Sequence, residues 1–440
     1  MVEREDPEGT QTAVASTKPR LFGILGPGLI TGASDDDPSG IATYSQAGAQ
    51  FGFALNWTMF YSLPLMVAIQ MISARIGRTT GRGIAGVLRE HYPNWLLQWV
   101  VVLLLCANVL NLGADLGAMA DALNLLLPGP RWLYTILFAG IAIYMQVLLD
   151  YVRYVRILKW LALSLLAYVG VLAVLGLPWR EVARSLVIPR VEMDRDTLTT
   201  IVAVFGTTIS PYLFFWQSAE EVEDIDAYPH RKDLLHAPEQ GQAALHRIEV
   251  DTWVGMAFSN VVALAIILTA ATVLRTNGIT TIDSSAQAAA ALKPFVGPLA
   301  SAVFAAGIIG TGMLAVPVLA GSAAYAVGEA RRWPVGFARR PLEARAFYGT
   351  IVLATLIGMI ISLGAVDPIR ALYWSAVVNG VIAVPIMAIT ILVASRRDIM
   401  GPFSIRGMLK LFGWIATGFM LVASALMLGL QASDFMHIPS

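Results

Sequence analysis

The stretch Gly32-Ala33-Ser34-Asp35-Asp36-Asp37-Pro38-Ser39-Gly40 sits inside an otherwise apolar run, 21–50, long enough to cross a bilayer. A spanning helix takes about 20 residues, and lipid offers no partner to an unpaired backbone group. Pro38 lacks an amide donor and pushes its neighbour Asp37 out of the α region, so the helix must break here. Three adjacent carboxylates cannot all stay charged in apolar surroundings unless a cation or protons compensate them. A kink alone often serves packing. Charged groups at a kink inside the membrane point instead to function.

A second interruption, Gly206-Thr207-Thr208-Ile209-Ser210-Pro211, falls in the sixth apolar span. Interrupted helices at corresponding places in two halves of a membrane protein mark transporter sites, because half-helix ends and freed carbonyls meet there. The five-span offset fits two five-helix repeats of opposite topology. Asp37, the Ser210 hydroxyl and the Thr207 carbonyl then make a set of hard oxygens, suited to Mg²⁺, Mn²⁺, Ca²⁺ or Na⁺ over softer Zn²⁺ or Cu⁺. Asp37, beside the proline, is the principal candidate. Asp36 is a second candidate carboxylate. Asp35 and Asp36 have an alternative role in an aqueous vestibule, where they would only steer cations.

The rest of the chain agrees. Of 440 residues, 57% are hydrophobic and only 14% charged, far from a soluble composition. Cys106 is the one cysteine, which excludes a disulfide scaffold, and thirty basic against thirty acidic residues give no basic excess for nucleic acid. The apolar runs predict eleven spans: 21–50, 53–75, 94–114, 132–149, 156–178, 199–219, 251–273, 296–327, 346–364, 368–394 and 409–431. The third is expected to be separate from the segment Asp115–Leu127. Most basic residues, among them Arg75, Arg78, Arg82, Arg89, Arg331, Arg332, Arg339 and Arg340, fall in alternate loops. By the positive-inside rule the N-terminus is cytoplasmic and the C-terminus extracytoplasmic in a multi-pass cell-membrane protein. The organisation reads as a cytoplasmic polar tail (1–19, without the apolar core of a signal peptide), a first repeat (20–178), an extracytoplasmic loop (179–198), a second repeat (199–395) and a last helix with the C-terminus (396–440).

Around these residues the chain resembles the Nramp family (natural resistance-associated macrophage proteins), proton-coupled divalent metal transporters with a LeuT-like fold. Gly26-Pro27-Gly28, Asp37-Pro38 and Gln46-Ala47-Gly48-Ala49-Gln50-Phe51-Gly52 are similar to the family's first helix. Arg89-Glu90-His91-Tyr92-Pro93, His246-Arg247-Ile248-Glu249-Val250-Asp251-Thr252, Asp367-Pro368 and Ile399-Met400-Gly401-Pro402-Phe403 follow in the family's order. The resemblance implies an all-α polytopic protein with a LeuT-like fold, eleven helices in two inverted repeats, and breaks in helices one and six. It also implies alternating access by rocking of spans one, two, six and seven.

Departures from the family are as informative. Its Asp-Pro-Gly-Asn reads Asp37-Pro38-Ser39-Gly40, so Gly40 stands at the place of an Asn ligand. Its Met-Pro-His reads Ser210-Pro211-Tyr212, which replaces a thioether by a hydroxyl and an imidazole by a phenol. Thr207 falls where the family uses a backbone carbonyl. Ala376 replaces a frequent Gln, with Asn379 one turn on, and Asp115 matches one of two acidic positions while Leu112 replaces the other. Smaller Gly40 and Ser210 are expected to widen the site, so that an ion such as Mg²⁺ keeps several waters. The resemblance thus implies a metal site of Asp37, Asp36, Thr207, Ser210 and Gly40, with Asp35, Thr208, Tyr212 and Asn379 along the substrate path. Asp115 is implied on a proton or coupling-ion route, although loss of the His and one acid argues against proton coupling.

The leading expectation is transport of a divalent cation, Mg²⁺ or Mn²⁺, as substrate, with Na⁺ or H⁺ as candidate coupling ion and no tightly bound cofactor. The alternative is a Na⁺-coupled carrier of a small anion such as bicarbonate, or of another small solute, on the same fold. Short loops leave no domain for a sensor, and the sequence contains no catalytic Ser-His-Asp or zinc-spaced Cys/His set, so no enzyme is expected. The partners implied are the ion and the lipid bilayer, without nucleic acid; oligomeric state is left open. The acid run Glu220-Glu221-Val222-Glu223-Asp224-Ile225-Asp226 is expected to be a solvated loop. Trp57, Trp95, Trp132 and Trp179 are expected at the membrane interfaces.

Overall fold

Prolines and carboxylates set where several helices begin. Asp37 has extended backbone and caps the helix that Pro38 opens, accepting from the Gly40 N–H through its side chain. Asp367 caps the helix opened by Pro368 in the same way, through the N–H groups of Ile369 and Arg370. Such pairs satisfy amides that the first turn leaves without carbonyl partners. Asp194 caps a third helix, and its bonds from the Thr197 side chain and backbone hold its carboxyl below the usual range.

The computed structural model describes residues 31, 32, 34–148, 166–227, 230–364 and 366–436. Its membrane helices are α1 (Pro38–Phe51), α2 (Trp57–Thr80), α3 (Asn94–Asn124), α4 (Arg131–Leu148), α5 (Leu166–Val174), α6a (Arg195–Thr208) and α6b (Pro211–Ala227). They continue with α7 (Gly241–Val273), α8 (Ala300–Arg331), α9 (Arg345–Ser362), α10 (Pro368–Ser395) and α11 (Gly407–Met436). Nine segments among the described residues are long and apolar enough to span a bilayer, with α6a and α6b counted as one. The first span before residue 31 and the first part of the fifth, 156–165, lie outside the described residues. So do the tail 1–19 and the C-terminal end.

The third span differs from expectation. It does not stop at residue 114 but continues as α3 through Asp115 to Asn124. The reason is local. Residues 115–124 are rich in Leu and Ala, carry no proline, and bury Asp115, the first of their two carboxylates, so nothing ends the helix before Asp121 and Asn124.

Close backbone approaches organise the bundle. A Cβ on Gly48 of α1 would lie 2.2 Å from the Ile267 carbonyl oxygen of α7, and one on Gly77 of α2 would lie 2.1 Å from that of Ser218 in α6b. On the other side, Gly206 of α6a faces α10, where a Cβ would come within 2.1 Å of the Ala376 carbonyl oxygen. Small residues let membrane helices approach until backbones touch, and packing then replaces a hydrophobic force that lipid does not supply. Apolar side chains such as Leu353 and Ile360 on α9 and Leu411 and Leu421 on α11 stay exposed, as a lipid-facing surface requires. Trp95, Trp132 and Trp179 are exposed near helix ends, but Trp57 is buried against Phe205 and Phe419 and belongs to the core.

The acid run is not a solvated loop. It forms the last turns of α6b, where Glu221 is buried and ion-paired with Arg247 of α7, and Asp224 pairs with Arg231. The run ends a helix that packs on α2 and α8, and basic residues come to it from the following segment. Charge pattern alone does not reveal that these partners exist.

Candidate metal centre

The first break is short. Residues 34 and 35 are helical, Asp36 and Asp37 are not, and α1 starts at Pro38. The second consists of Ile209 and Ser210 between α6a and α6b. The two face each other. Ser39 Oγ lies 3.5 Å from Thr207 Oγ1, and the Tyr212 hydroxyl of α6b donates to the Ser34 carbonyl at 3.2 Å. Asp35, Asp36, Asp37, Thr207, Thr208, Ser210 and Tyr212 are all buried.

Asp37 stands at the junction. Its Oδ1 accepts from Ser39 Oγ at 2.6 Å and from the Gly40 N–H at 2.8 Å. Its Oδ2 accepts from Asn111 Nδ2 of α3 at 2.9 Å and from the Tyr212 hydroxyl at 3.4 Å. Three donors, and a share of the single Tyr212 hydrogen that also faces the Ser34 carbonyl, fix this carboxylate from three parts of the chain and spread its charge. Asn379 of α10 donates to Asn111 Oδ1 at 3.4 Å, so an amide chain runs from α10 through α3 to Asp37.

The other residues singled out in the sequence divide into groups. Ser210 Oγ donates to the carbonyls of Gly206 and Thr207, at 2.8 and 2.9 Å, so two of the expected ligands are paired with each other. Thr208 bonds back to the Val204 and Phe205 carbonyls and turns into its own helix. Gly40 gives its N–H to the Asp37 side chain, which caps the helix, and it does not widen the site. A Cβ there would meet the Tyr44 ring at 3.2 Å and Thr207 Oγ1 at 3.3 Å, so these side chains already occupy the margin. Leu112, buried, packs toward Gly358 of α9.

The three consecutive aspartates do not form one cage. Asp35 and Asp36 turn away from Asn111 and Tyr212 toward α7, where Ser259 Oγ lies 2.6 Å from Asp35 Oδ2 and 3.1 Å from Asp36 Oδ1. No group of three or more His, Cys, Asp or Glu able to hold a metal occurs among the described residues. The groups hydrogen-bonded to the Asp37 carboxylate are hydroxyls, a backbone amide and a side-chain amide. Asp115 lies one turn beyond Asn111 on α3, fully buried, and neither of its oxygens has a hydrogen-bond partner among the described residues. The sequence reading missed Asn111, Ser259 and Ser39. Polar residues repeating on one face of an apolar helix, as Asn108, Asn111 and Asp115 do in α3, were the available signal.

Two cavities flank the breaks at opposite ends of the bundle. One of about 360 Å³ is lined by Gln46, Gln50, Asp196, Asp283, Arg370 and Tyr373. The other, about 590 Å³, is lined by Arg89, Glu223, Tyr325, Glu329, Arg332 and Arg339. A central site between polar vestibules is the geometry that alternating access uses.

Comparison with known proteins places this arrangement. The family model "natural resistance-associated macrophage protein-like" (Nramp) matches residues 28–430. A divalent metal cation transporter MntH of Burkholderia ambifaria is 28% identical over 432 residues, covering 93% of this chain and 88% of that protein. The corresponding MntH of Klebsiella pneumoniae is 26% identical, with 90% of this chain and 94% of the relative covered. Among solved structures, a manganese transporter of Eremococcus coleocola superposes with a TM-score of 0.76 at 17% identity, over 99% of this chain and 91% of that one. Mhp1, a nucleobase-cation-symport-1 family transporter, superposes with a TM-score of 0.53 at 14% identity, over 93% of each chain. These likenesses show a LeuT-like fold.

Proposed function

The chain belongs to the Nramp family, a multi-pass membrane family, and from that premise we propose that it carries a divalent metal cation across the membrane by alternating access. One observation supports this reading above the others: the buried Asp37 carboxylate stands where the breaks of the first and sixth spans face each other. The ion enters with part of its water, and Asp37 is its charged ligand. The Thr207 carbonyl and the Ser210 hydroxyl, already 2.9 Å apart, supply further oxygens when they release each other. Tyr212 and Asn111 yield their bonds to Oδ2, and the Asn111 amide can turn its oxygen toward the ion.

The donors around Asp37 are all oxygen or nitrogen, with no thioether, which suits Mg²⁺ or Mn²⁺. The excess of Lys and Arg in the loops after α2 and α8 supports an N-terminus on the cytoplasmic side. The halves 20–178 and 199–395 are read as the two inverted repeats, each with its broken first helix. The test is uptake of Mg²⁺ and Mn²⁺ into liposomes containing purified protein. Asp37→Asn, nearly the same shape without the charge, should reduce uptake to background while the protein still elutes as a folded species. Uptake at the native rate in that variant would refute the assignment.

A further inference from the structure

Of the three aspartates, Asp37 has three donors of its own, from Ser39, Gly40 and Asn111, but Asp35 and Asp36 share one. The Ser259 hydroxyl carries a single hydrogen, yet it stands 2.6 Å from Asp35 Oδ2 and 3.1 Å from Asp36 Oδ1. It can donate fully to only one of them, and the other carboxylate then faces a hydroxyl lone pair. Asp35 Oδ1 and Asp36 Oδ2 have no hydrogen-bond partner among the described residues. Both side chains are essentially inaccessible to solvent, at 0% and 1% exposure. A buried polar atom without a partner is costly, and a buried charge more so, unless another group compensates it.

We propose that Asp35, Asp36 and Ser259 form a second cation site, distinct from Asp37, that takes a hard divalent ion. Two adjacent carboxylates balance a double positive charge, and every ligand offered is oxygen, the donor that Mg²⁺ and Mn²⁺ prefer. With an ion in place the Ser259 oxygen turns a lone pair to it, and its hydrogen is no longer contested. The site ties the end of the first half of span one to α7. Gly32 and Gly255, whose backbones are so close that a Cβ on Gly32 would lie 2.3 Å from the Gly255 carbonyl oxygen, hold these segments together one turn away. An ion here would therefore bind to a prebuilt junction beside the transport site. The inference rests on the reading that cations enter between the breaks, and it adds a second place for one to stop.

Equilibrium dialysis of purified full-length protein against Mn²⁺, with Mg²⁺ as competitor, decides it. Wild type should bind two ions per chain. The double variant Asp35→Asn with Asp36→Asn should lose one and keep the other, and Asp37→Asn should lose the complementary one. Ser259→Ala leaves both carboxylates and the fold in place, and it should weaken only one of the two by about tenfold; it provides the readout if the double variant does not fold. One Mn²⁺ per chain in wild type would overturn the second site, and so would loss of both ions in Asp37→Asn. Protons on Asp35 or Asp36 in place of a metal would give that single-ion result. The transport reading fails separately, on uptake by Asp37→Asn.

Discussion

The side-chain amide of Asn111 donates to Oδ2 of Asp37 across 2.9 Å and so ties the middle of α3 to the break in the first span. Both groups are buried, and Asn111 is itself held by Asn379 of α10. A hydrogen bond to a charged group contributes about 1.5–3 kcal/mol, enough to decide the orientation of a lone carboxylate. Asn111→Leu, close in volume but without a donor, should therefore lower Mn²⁺ uptake by about tenfold or more, with the protein still folded. Asn111→Asp should do the opposite to affinity, because a second carboxylate would face the ion. If Asn111→Leu took up metal as wild type does, the amide would be packing only.

This relationship shows what could and could not be seen before the structure. The breaks were legible because Pro38 and Pro211 act locally, on their own backbone and on the residue before them. That the breaks face each other followed from their matching places in two halves. The direction of each carboxylate was not legible, since it depends on Asn111 and Ser259, 74 and 224 residues away from their partners along the chain. An Asn in an apolar helix reads the same whether it binds a neighbouring helix or a site. Gly40 misled for a related reason: loss of a side chain suggested space, but Tyr44 and Thr207 fill it.

Packing between α6a and α10 offers a test of the fold itself. A Cβ at Gly206 would fall 2.1 Å from the Ala376 carbonyl oxygen and 2.5 Å from the Gly380 nitrogen, both backbone atoms that cannot rotate away. Gly206→Ala should cost about 1–3 kcal/mol through overpacking and lower the melting temperature in detergent. Gly418→Ala on α11, where nothing lies within 4 Å, is the control and should leave it unchanged or slightly raised. Equal melting of the two variants would mean that α6a and α10 are not in backbone contact.

Glu221 and Arg247 join α6b to α7, and Arg247 also reaches Asp224 at 3.5 Å. Glu221 is fully buried, so removal of its partner leaves a charge with poor solvation. Loss of one member of a buried pair typically costs about 3–5 kcal/mol, whereas replacing both by neutral side chains of similar volume costs much less. Arg247→Met alone should thus destabilise more than Arg247→Met combined with Glu221→Gln. Thermal unfolding of the four proteins in a double-mutant cycle gives the coupling. Simple additivity would show that the pair is not coupled.

Glu223 holds the same end of α6b to the opposite side of the bundle. Its Oε1 accepts from the Phe337 N–H at 2.6 Å and from the Tyr325 hydroxyl, and its Oε2 from the Ala338 N–H at 3.3 Å. Tyr325 is on α8, and Phe337 and Ala338 are in the loop that follows it. Because α6b begins next to Ser210, a tilt that opens a path from this end to Asp37 must first break these bonds. Glu223→Gln keeps the shape, removes the charge and offers one oxygen where two accepted. At about 1.5–3 kcal/mol for charged hydrogen bonds, the open population should rise by at least about tenfold. In a Cys106→Ser background, Ala219→Cys on α6b, buried on the wall of the 590 Å³ cavity, reports that opening by its rate of modification with a hydrophilic maleimide. The rate should rise with Glu223→Gln and fall back when a divalent ion favours the closed form. An unchanged rate would mean that Glu223 stabilises the loop without gating the path.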